Sequence, residues 1–160
     1  MTTTTQIPVR IDFDSLASGF SKALAHLDRA ATKELDAAGI DQKLRELIRI
    51  RASQLNGCAY CIDAHTKDAR AIDETEQRLY GLAAWRETPY FTARERAALA
   101  WTESITLVAD THVPDADYAA VAEEFSPAEV AALTSLIVMI NAWNAVSVST
   151  RCWEPGSYQP

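Results

Sequence analysis

Glycine and proline are scarce in this sequence, with five and six residues among 160, whereas alanine is frequent. Alanine is the strongest helix former, and glycine and proline most often interrupt a helix. The alternation of apolar and polar residues that indicates strands is missing, apart from a short extended lead-in at 7–11. The composition therefore argues against a sheet-rich fold and favours an all-helical one.

Basic residues are also few, because 15 Lys and Arg stand against 22 Asp and Glu, which gives a net charge of −7. Such a surface repels phosphate backbones, so we expect no nucleic-acid partner. The longest apolar stretch, at 133–148, is interrupted by the polar residues Thr134, Ser135, Asn141 and Asn144. This interruption argues against a membrane span, and we expect no membrane partner.

The first six residues contain no basic segment followed by an apolar stretch. The sequence therefore predicts no secretory signal, and the expected compartment is cytoplasmic. Cysteines are only three in number, which is too few for a disulfide framework. In a cytoplasmic protein, a close pair such as Cys58 and Cys61 indicates redox chemistry or a metal site instead.

The length of the chain fits one domain with its own core, and we expect residues 1–160 to form it. A first helix is predicted over 14–38 from a stripe of apolar residues, namely Leu16, Phe20, Leu24, Leu27, Ala31 and Leu35. Further helices are predicted from an Asp41 cap to the Asn56-Gly57 break, from about 58 to 71, and over 74–85, 92–110, 115–124 and 126–149. The expected architecture is an all-α bundle of about six or seven helices.

The segment around the cysteine pair reads Ser53-Gln54-Leu55-Asn56-Gly57-Cys58-Ala59-Tyr60-Cys61-Ile62-Asp63-Ala64-His65. On a helix, Cys58, Cys61 and His65 share one face, which suits a reversible disulfide with a base beside the second cysteine. Asn56-Gly57 ends the preceding helix, so Cys58 starts the next one. The backbone N–H groups and the dipole at a helix start lower the pKa of a thiol. We therefore expect Cys58 to be the more exposed and more activated thiol.

His65 can accept a thiol proton when it is neutral and can stabilise a thiolate when it is charged. Glu46 joins it if the chain reverses at Asn56-Gly57. At about 1.5 Å per residue, His65 would then lie roughly 10 Å and Glu46 roughly 16 Å from the turn. His65 would stand between Cys61 and Glu46, in a carboxylate–imidazole–thiol relay that could include a water. From the residues alone, Glu46 is equally well a solvated acid on a helix surface.

Two other interpretations of the cysteine pair stay open. Cys58, Cys61 and His65 could bind zinc, for which the fourth ligand would be Glu46, Cys152 or His112. The pair could also be inert and buried. Ordinary structural roles are expected for the remaining notable residues, which are His26, His112, Cys152, Trp85, Trp101 and Trp143. Tyr60 would either line a pocket or cover the cysteines.

The stretch from Glu46 to Thr66 closely resembles the AhpD-like alkylhydroperoxidase core of the carboxymuconolactone decarboxylase superfamily. In that motif a glutamate precedes the Cys-x-x-Cys by twelve residues and a histidine follows the second cysteine by four. Glu46, Cys58, Cys61 and His65 occupy these positions, within a redox core of about 41–75. Weaker similarity continues at 89–95 and 140–144. Some members have a histidine where this chain has Tyr60, and many have an arginine where it has Ala145.

The resemblance implies an AhpD-like all-helical fold, a homo-oligomer (often a trimer or a hexamer) and an antioxidant peroxidase acting on hydrogen peroxide or organic hydroperoxides. Cys61 would attack the peroxide, Cys58 would resolve the product, and His65 and Glu46 would relay protons. A thiol or dithiol would donate electrons, with no organic cofactor and no metal. The alternatives are a lactone decarboxylase, although those branches generally lack the cysteine pair, and a non-enzymatic, zinc-binding helical oligomer.

Overall fold

The computed structural model describes residue 5 and residues 7–160, and the regular structure in this part consists entirely of helices. The α-helices are α1 Phe13–Leu16, α2 Ser18–Ala37, α3 Gln42–Asn56, α4 Ala59–Ala71, α5 Glu76–Gly81, α6 Ala93–Thr106, α7 Val108–Thr111, α8 Asp115–Glu124 and α9 Pro127–Thr150. A 3-10 helix, Leu82–Glu87, follows α5. The all-α prediction is confirmed. The prediction about a secretory signal concerns residues that, apart from residue 5, lie outside the described part.

The helices outnumber the six or seven predicted because long predicted helices are interrupted. The predicted helix 14–38 breaks at Ala17, where φ is −121° and ψ is 41°. The predicted helix 92–110 breaks at Leu107, where φ is −99° and ψ is 33°. The predicted helix 74–85 ends as a 3-10 segment with a non-helical Ala84. Alanine and leucine are good helix formers, so local propensity gives no sign of these breaks.

The first helical segment buries only part of its predicted apolar stripe. Leu24, Ala31 and Leu35 are buried, whereas Leu16, Phe20 and Leu27 are 78%, 59% and 55% exposed. At 3.6 residues per turn, Phe20 and Leu27 lie within about 20° of each other around the axis of α2, beside the side of this helix that carries Leu24, Ala31 and Leu35. Leu16 lies on α1, before the break at Ala17. We call Leu16, Phe20 and Leu27 the α1–α2 apolar edge.

Helix α9 is the central element of the bundle and packs against α2, α3 and α6. By length and composition alone this helix could span a membrane, since the mean hydropathy of an 18-residue window within it is 1.6. Its polar residues therefore do not by themselves argue against a span. Half of the apolar stretch is buried inside the fold, however. Packing of Leu133, Leu136 and Ile137 in the core explains why the helix is apolar.

Helices α3 and α4 form the predicted hairpin, and its turn is fixed by two local features. Gly57 has a left-handed backbone, with φ of 67°, which ends α3. The side-chain amide of Asn56 donates to Oδ1 of Asn141 at 2.8 Å and to Oδ1 of Asn144 at 3.0 Å. The turn is thereby tied to the centre of α9. Asp41 caps α3 as predicted, through its carboxylate and the N–H groups of Lys43 and Leu44.

Candidate active site

Cys58 and Cys61 are joined by a disulfide at the start of α4, with their Cα atoms 5.3 Å apart. Cys58 is the N-cap of this helix, and its sulfur accepts a hydrogen bond from the N–H of Cys61 at 3.3 Å. The first-turn amides and the helix dipole favour negative charge at this position. The arrangement can therefore store two electrons as a pair of thiols and stabilise a thiolate.

The two cysteines differ in solvent exposure, and the difference is the reverse of the one expected. Cys58 is completely buried, whereas Cys61 is 4% exposed and lines a cavity. The expectation that Cys58 is the more exposed thiol is wrong. Both cysteines pack in one buried cluster with Ala52 and Ile140, but Cys61 lines the cavity and Cys58 does not. A small molecule entering the cavity therefore meets Cys61.

His65 contacts Glu46 directly across the hairpin. Nδ1 of His65 donates to Oε2 of Glu46 at 2.9 Å, so no water is needed between them. The Glu46 side chain is 9% exposed, and its second oxygen accepts a hydrogen bond from Arg49. The interpretation of Glu46 as a solvated surface acid is wrong. Because the proton on Nδ1 is held by the carboxylate, Nε2 is the ring nitrogen that can exchange a proton.

Asp68 is a second carboxylate beside the imidazole and is not among the site residues predicted from the sequence. Its Oδ2 lies 3.7 Å from Nδ1 of His65, and its Oδ1 accepts a hydrogen bond from the hydroxyl of Tyr158 at 2.7 Å. Burial acts to lower the pKa of His65, but the contacts with Asp68 and Glu46 outweigh it and raise this pKa above 6.5. Burial acts to raise the pKa of Asp68, but the contacts with His65 and Tyr158 lower it overall. The site thus favours an imidazolium beside carboxylates.

A cavity of about 480 Å³ lies in front of Cys61 and His65. Its lining comprises Asp14, Ser21, Asp28, Arg49, Tyr60, Cys61, Ala64, His65, Asp68, Ile140, Trp143, Trp153 and Tyr158. Trp153 contacts both Tyr60 and Trp143, with ring centroids 5.6 Å and 5.5 Å apart respectively. Tyr60 therefore lines the pocket, and three aromatic rings form one continuous wall.

The C-terminal tail, residues 151–160, supplies part of this wall. It is fastened to α4 by the amide of Gly156, which donates to Asp63 at 2.9 Å, and by Lys67, which donates to the carbonyl of Tyr158 at 2.9 Å. The sequence offers one signal for Asp68, which lies three residues after His65 on the same helix face. It offers none for Tyr158, because the contact with Asp68 spans 90 residues.

The residues proposed for zinc are arranged differently from that interpretation. Cys58 and Cys61 are bonded to each other, and neither Cys152 nor His112 lines the cavity. Glu46, His65 and Asp68 do have ligand atoms within 4.8 Å of one another. The guanidinium of Arg49 already contacts Glu46, however, and Tyr158 already contacts Asp68. This cluster is satisfied by the protein itself, and a cation there would be repelled by Arg49.

Among the other residues for which ordinary structural roles were expected, three are consistent with those roles and one differs. Trp85 and Trp101 are buried in the core. Cys152 is a free thiol of intermediate exposure, and burial raises its pKa. Trp143 was expected to be a core or interface residue, but it lines the cavity together with Ile140.

The sequence profile of the carboxymuconolactone decarboxylase family matches residues 19–104, which is more than half of the chain. The uncharacterized protein YdfG of Bacillus subtilis (strain 168) is 41% identical over 140 residues, covering 88% of this chain and 92% of YdfG. This chain belongs to the carboxymuconolactone decarboxylase family.

Solved structures show that this family member has an AhpD-like fold. A protein of unknown function from Agrobacterium tumefaciens, ATU0492, named as a candidate antioxidant defence protein AhpD, superimposes with a TM-score of 0.85 at 33% identity. The match covers 92% of this chain and 99% of ATU0492. The debrominase Bmp8 superimposes with a TM-score of 0.69 at 18% identity over 86% of this chain and 74% of Bmp8, a likeness of fold alone.

Proposed function

We propose that this family member is a thiol-dependent peroxidase that reduces hydrogen peroxide or organic hydroperoxides through the Cys58–Cys61 disulfide. One observation carries the proposal: Cys61 belongs to a disulfide and lines the same cavity as His65. A buried structural disulfide would need neither a cavity nor a base. The AhpD-like fold and the likeness to ATU0492 support the same function.

The reaction begins from the reduced pair. The thiolate of Cys61 attacks one oxygen of the hydroperoxide, the O–O bond breaks, and Cys61 becomes a sulfenic acid. The leaving group, which is hydroxide from hydrogen peroxide or an alkoxide from an organic hydroperoxide, takes a proton from His65 and departs as water or an alcohol. The thiol of Cys58 then attacks the sulfenic sulfur, so that the disulfide forms and water leaves. An external dithiol returns two electrons and two protons.

Glu46 and His65 act together in this scheme. Glu46 holds the Nδ1 proton, which leaves Nε2 to take the thiol proton and later to protonate the leaving group. Because Cys61 is partly exposed and Cys58 is completely buried, we expect Cys61 to be the attacking sulfur and Cys58 the resolving one. In the Cys58→Ser variant, a sulfenic-acid trap should therefore label Cys61. Labelling of Cys58 in the Cys61→Ser variant, with none in Cys58→Ser, would reverse this order.

Peroxide turnover with a chemical dithiol as electron donor tests the proposal. The wild type and the Cys152→Ser variant should consume hydroperoxide at equal rates, because Cys152 lies outside the cavity lining. The Cys61→Ser variant should fall to the rate of the dithiol alone. If Cys61→Ser consumes peroxide as fast as the wild type, the proposal is wrong. Unchanged lactone turnover in Cys61→Ser would instead indicate a lactone decarboxylase.

We also propose that the protein is a cytoplasmic homo-oligomer, a trimer or a hexamer as in AhpD-like proteins. The α1–α2 apolar edge supports an interface between copies, because its three large side chains are more than half exposed. Burial of such side chains is worth about 1.5–3 kcal/mol each. Light scattering should give the mass of a trimer or a hexamer, and Phe20→Glu should reduce it. A monomeric wild type would contradict this proposal.

A further inference from the structure

The cavity in front of Cys61 has an aromatic lining that the proposed peroxide chemistry does not require. Four rings face it: Tyr60, Trp143, Trp153 and Tyr158. Hydrogen peroxide needs no such wall, because it has no apolar surface to bury. Aromatic faces bind apolar and aromatic bodies, and they attract cations through their negative π-faces. The wall therefore fits an organic substrate.

The charges around the cavity are mostly negative. Asp14, Asp28 and Asp68 line it, and among the described residues the only lysine or arginine in the lining is Arg49, which is paired with Glu46. The carboxylate of Asp14 is fixed in place by the indole N–H of Trp153, at 2.8 Å. Asp68 stays ionised, since its contacts lower its pKa. Glu46 brings a fourth carboxylate behind His65, so the carboxylates outnumber Arg49 and His65.

The negative charges around the cavity also act on the hydroxyl of Tyr60, one of the rings of the aromatic wall. Burial raises the pKa of its hydroxyl, and the charges of Asp63, Asp14 and Asp68 raise it further. Asp28 adds a carboxylate from α2, and among the described residues its side chain has no hydrogen-bond partner or ion pair. A substrate anion entering here would meet the carboxylates of Asp14 and Asp28, which form no ion pair among the described residues.

Resting on the proposed function, we propose that the organic substrate has an aromatic or apolar body and is neutral or cationic, and that carboxylate-bearing hydroperoxides are selected against. The body of the substrate packs on Tyr60, Trp143 and Trp153 while its peroxide group reaches Cys61. A positive group on it is stabilised by the ring faces and by Asp28. A carboxylate on it is repelled by the same residues.

Binding to the disulfide form tests this without any peroxide chemistry. Three probes of matched size are compared at low salt by tryptophan fluorescence: benzyltrimethylammonium, neutral neopentylbenzene and phenylacetate. We expect the cation to bind at least about tenfold more tightly than the carboxylate, with the neutral probe between them. Asp28→Asn should reduce this difference in affinity between the cation and the carboxylate severalfold. The matched control Asp110→Asn removes an exposed acid outside the cavity lining and should leave this difference in affinity unchanged.

The inference is wrong if the three probes bind equally or if phenylacetate binds most tightly. It is also wrong if Asp28→Asn leaves the difference in affinity between the cation and the carboxylate unchanged. A second measurement compares the oxidation of the reduced protein by cumene hydroperoxide and by its para-carboxylate derivative. The neutral compound should react faster, and added salt should reduce the difference. If neither hydroperoxide oxidises the pair while the preference among the three probes holds, the proposed function fails and the ligand class of the cavity stands.

Discussion

The imidazole of His65 is held by the carboxylate of Glu46, with Nδ1 and Oε2 2.9 Å apart, although the two residues lie on different helices. The hairpin of α3 and α4 creates this contact, because the left-handed Gly57 turns the chain back between them. One backbone turn thus sets both the position of Cys58 at a helix start and the pairing of base and carboxylate behind Cys61.

Replacing Glu46 by glutamine should slow oxidation of the reduced pair by peroxide about 10- to 100-fold near neutral pH. The amide keeps the shape of the side chain but removes the charge that helps to raise the pKa of His65. The measured pH dependence of the rate should therefore shift toward lower pH. Glu34→Gln, an exposed acid on α2, is the control. An unchanged profile in Glu46→Gln would show that the contact has no role in the chemistry.

Removing the hydroxyl of Tyr158 should weaken the attachment of the tail to α4. Tyr158→Phe loses the hydrogen bond to Asp68, which costs about 1 kcal/mol of unfolding free energy. The pKa of Asp68 should rise toward its ordinary value, as measured by a nuclear magnetic resonance titration. Tyr118→Phe, at a half-exposed tyrosine away from the site, should change neither quantity. If Asp68 titrates identically in both variants, the tail does not support the site.

The stability of the disulfide form should depend on pH through His65. Its folded pKa is raised above the ordinary 6.5, so its contribution is fully present below about pH 6.5 and is lost as the pH rises through the folded pKa. The free energy of unfolding in urea should therefore decrease over this interval. His65→Gln should remove that part of the decrease. Equal decreases in both proteins would mean that His65 gains no stabilising partner on folding.

A pair of glycine substitutions tests the turn. Gly57→Ala should destabilise the protein by about 1–2 kcal/mol, because φ at this position is 67° and an added Cβ, although it meets no atom within 4 Å, is strained there. Gly19→Ala, in the helical backbone of α2 and also with open space around it, should stabilise by up to about 1 kcal/mol. Thermal unfolding measures both. Equal effects would contradict the assigned turn geometry.

The parts of the fold that the sequence predicted are those set by near neighbours. The Asp41 cap, the end of α3 at Gly57 and the spacing of Cys58, Cys61 and His65 depend only on residues within a few positions. Given the hairpin, Glu46 could be placed opposite His65 by counting residues along two helices. The structure accordingly brings Glu46 and His65 into contact, whereas their role as a proton relay stays a prediction.

The errors concern packing over longer distances. The burial of Cys58 could not be predicted from the sequence around it, because Ile140, which packs in the same cluster, lies on the distant helix α9. The tail residues Trp153 and Tyr158 reach the cavity across about 90 residues, and nothing in the local sequence marks them. The breaks at Ala17 and Leu107 occur in residues that favour helix, so tertiary packing overrides propensity there.

The mass of the intact reduced protein, before and after one equivalent of hydroperoxide, tests most directly whether the cysteine pair gives up two electrons. We predict the loss of two hydrogen atoms, with peptide mapping placing the new bond between Cys58 and Cys61 and leaving Cys152 free. An unchanged mass with the peroxide still present, or oxygen added at Cys152 while Cys58 and Cys61 remain thiols, would contradict the account.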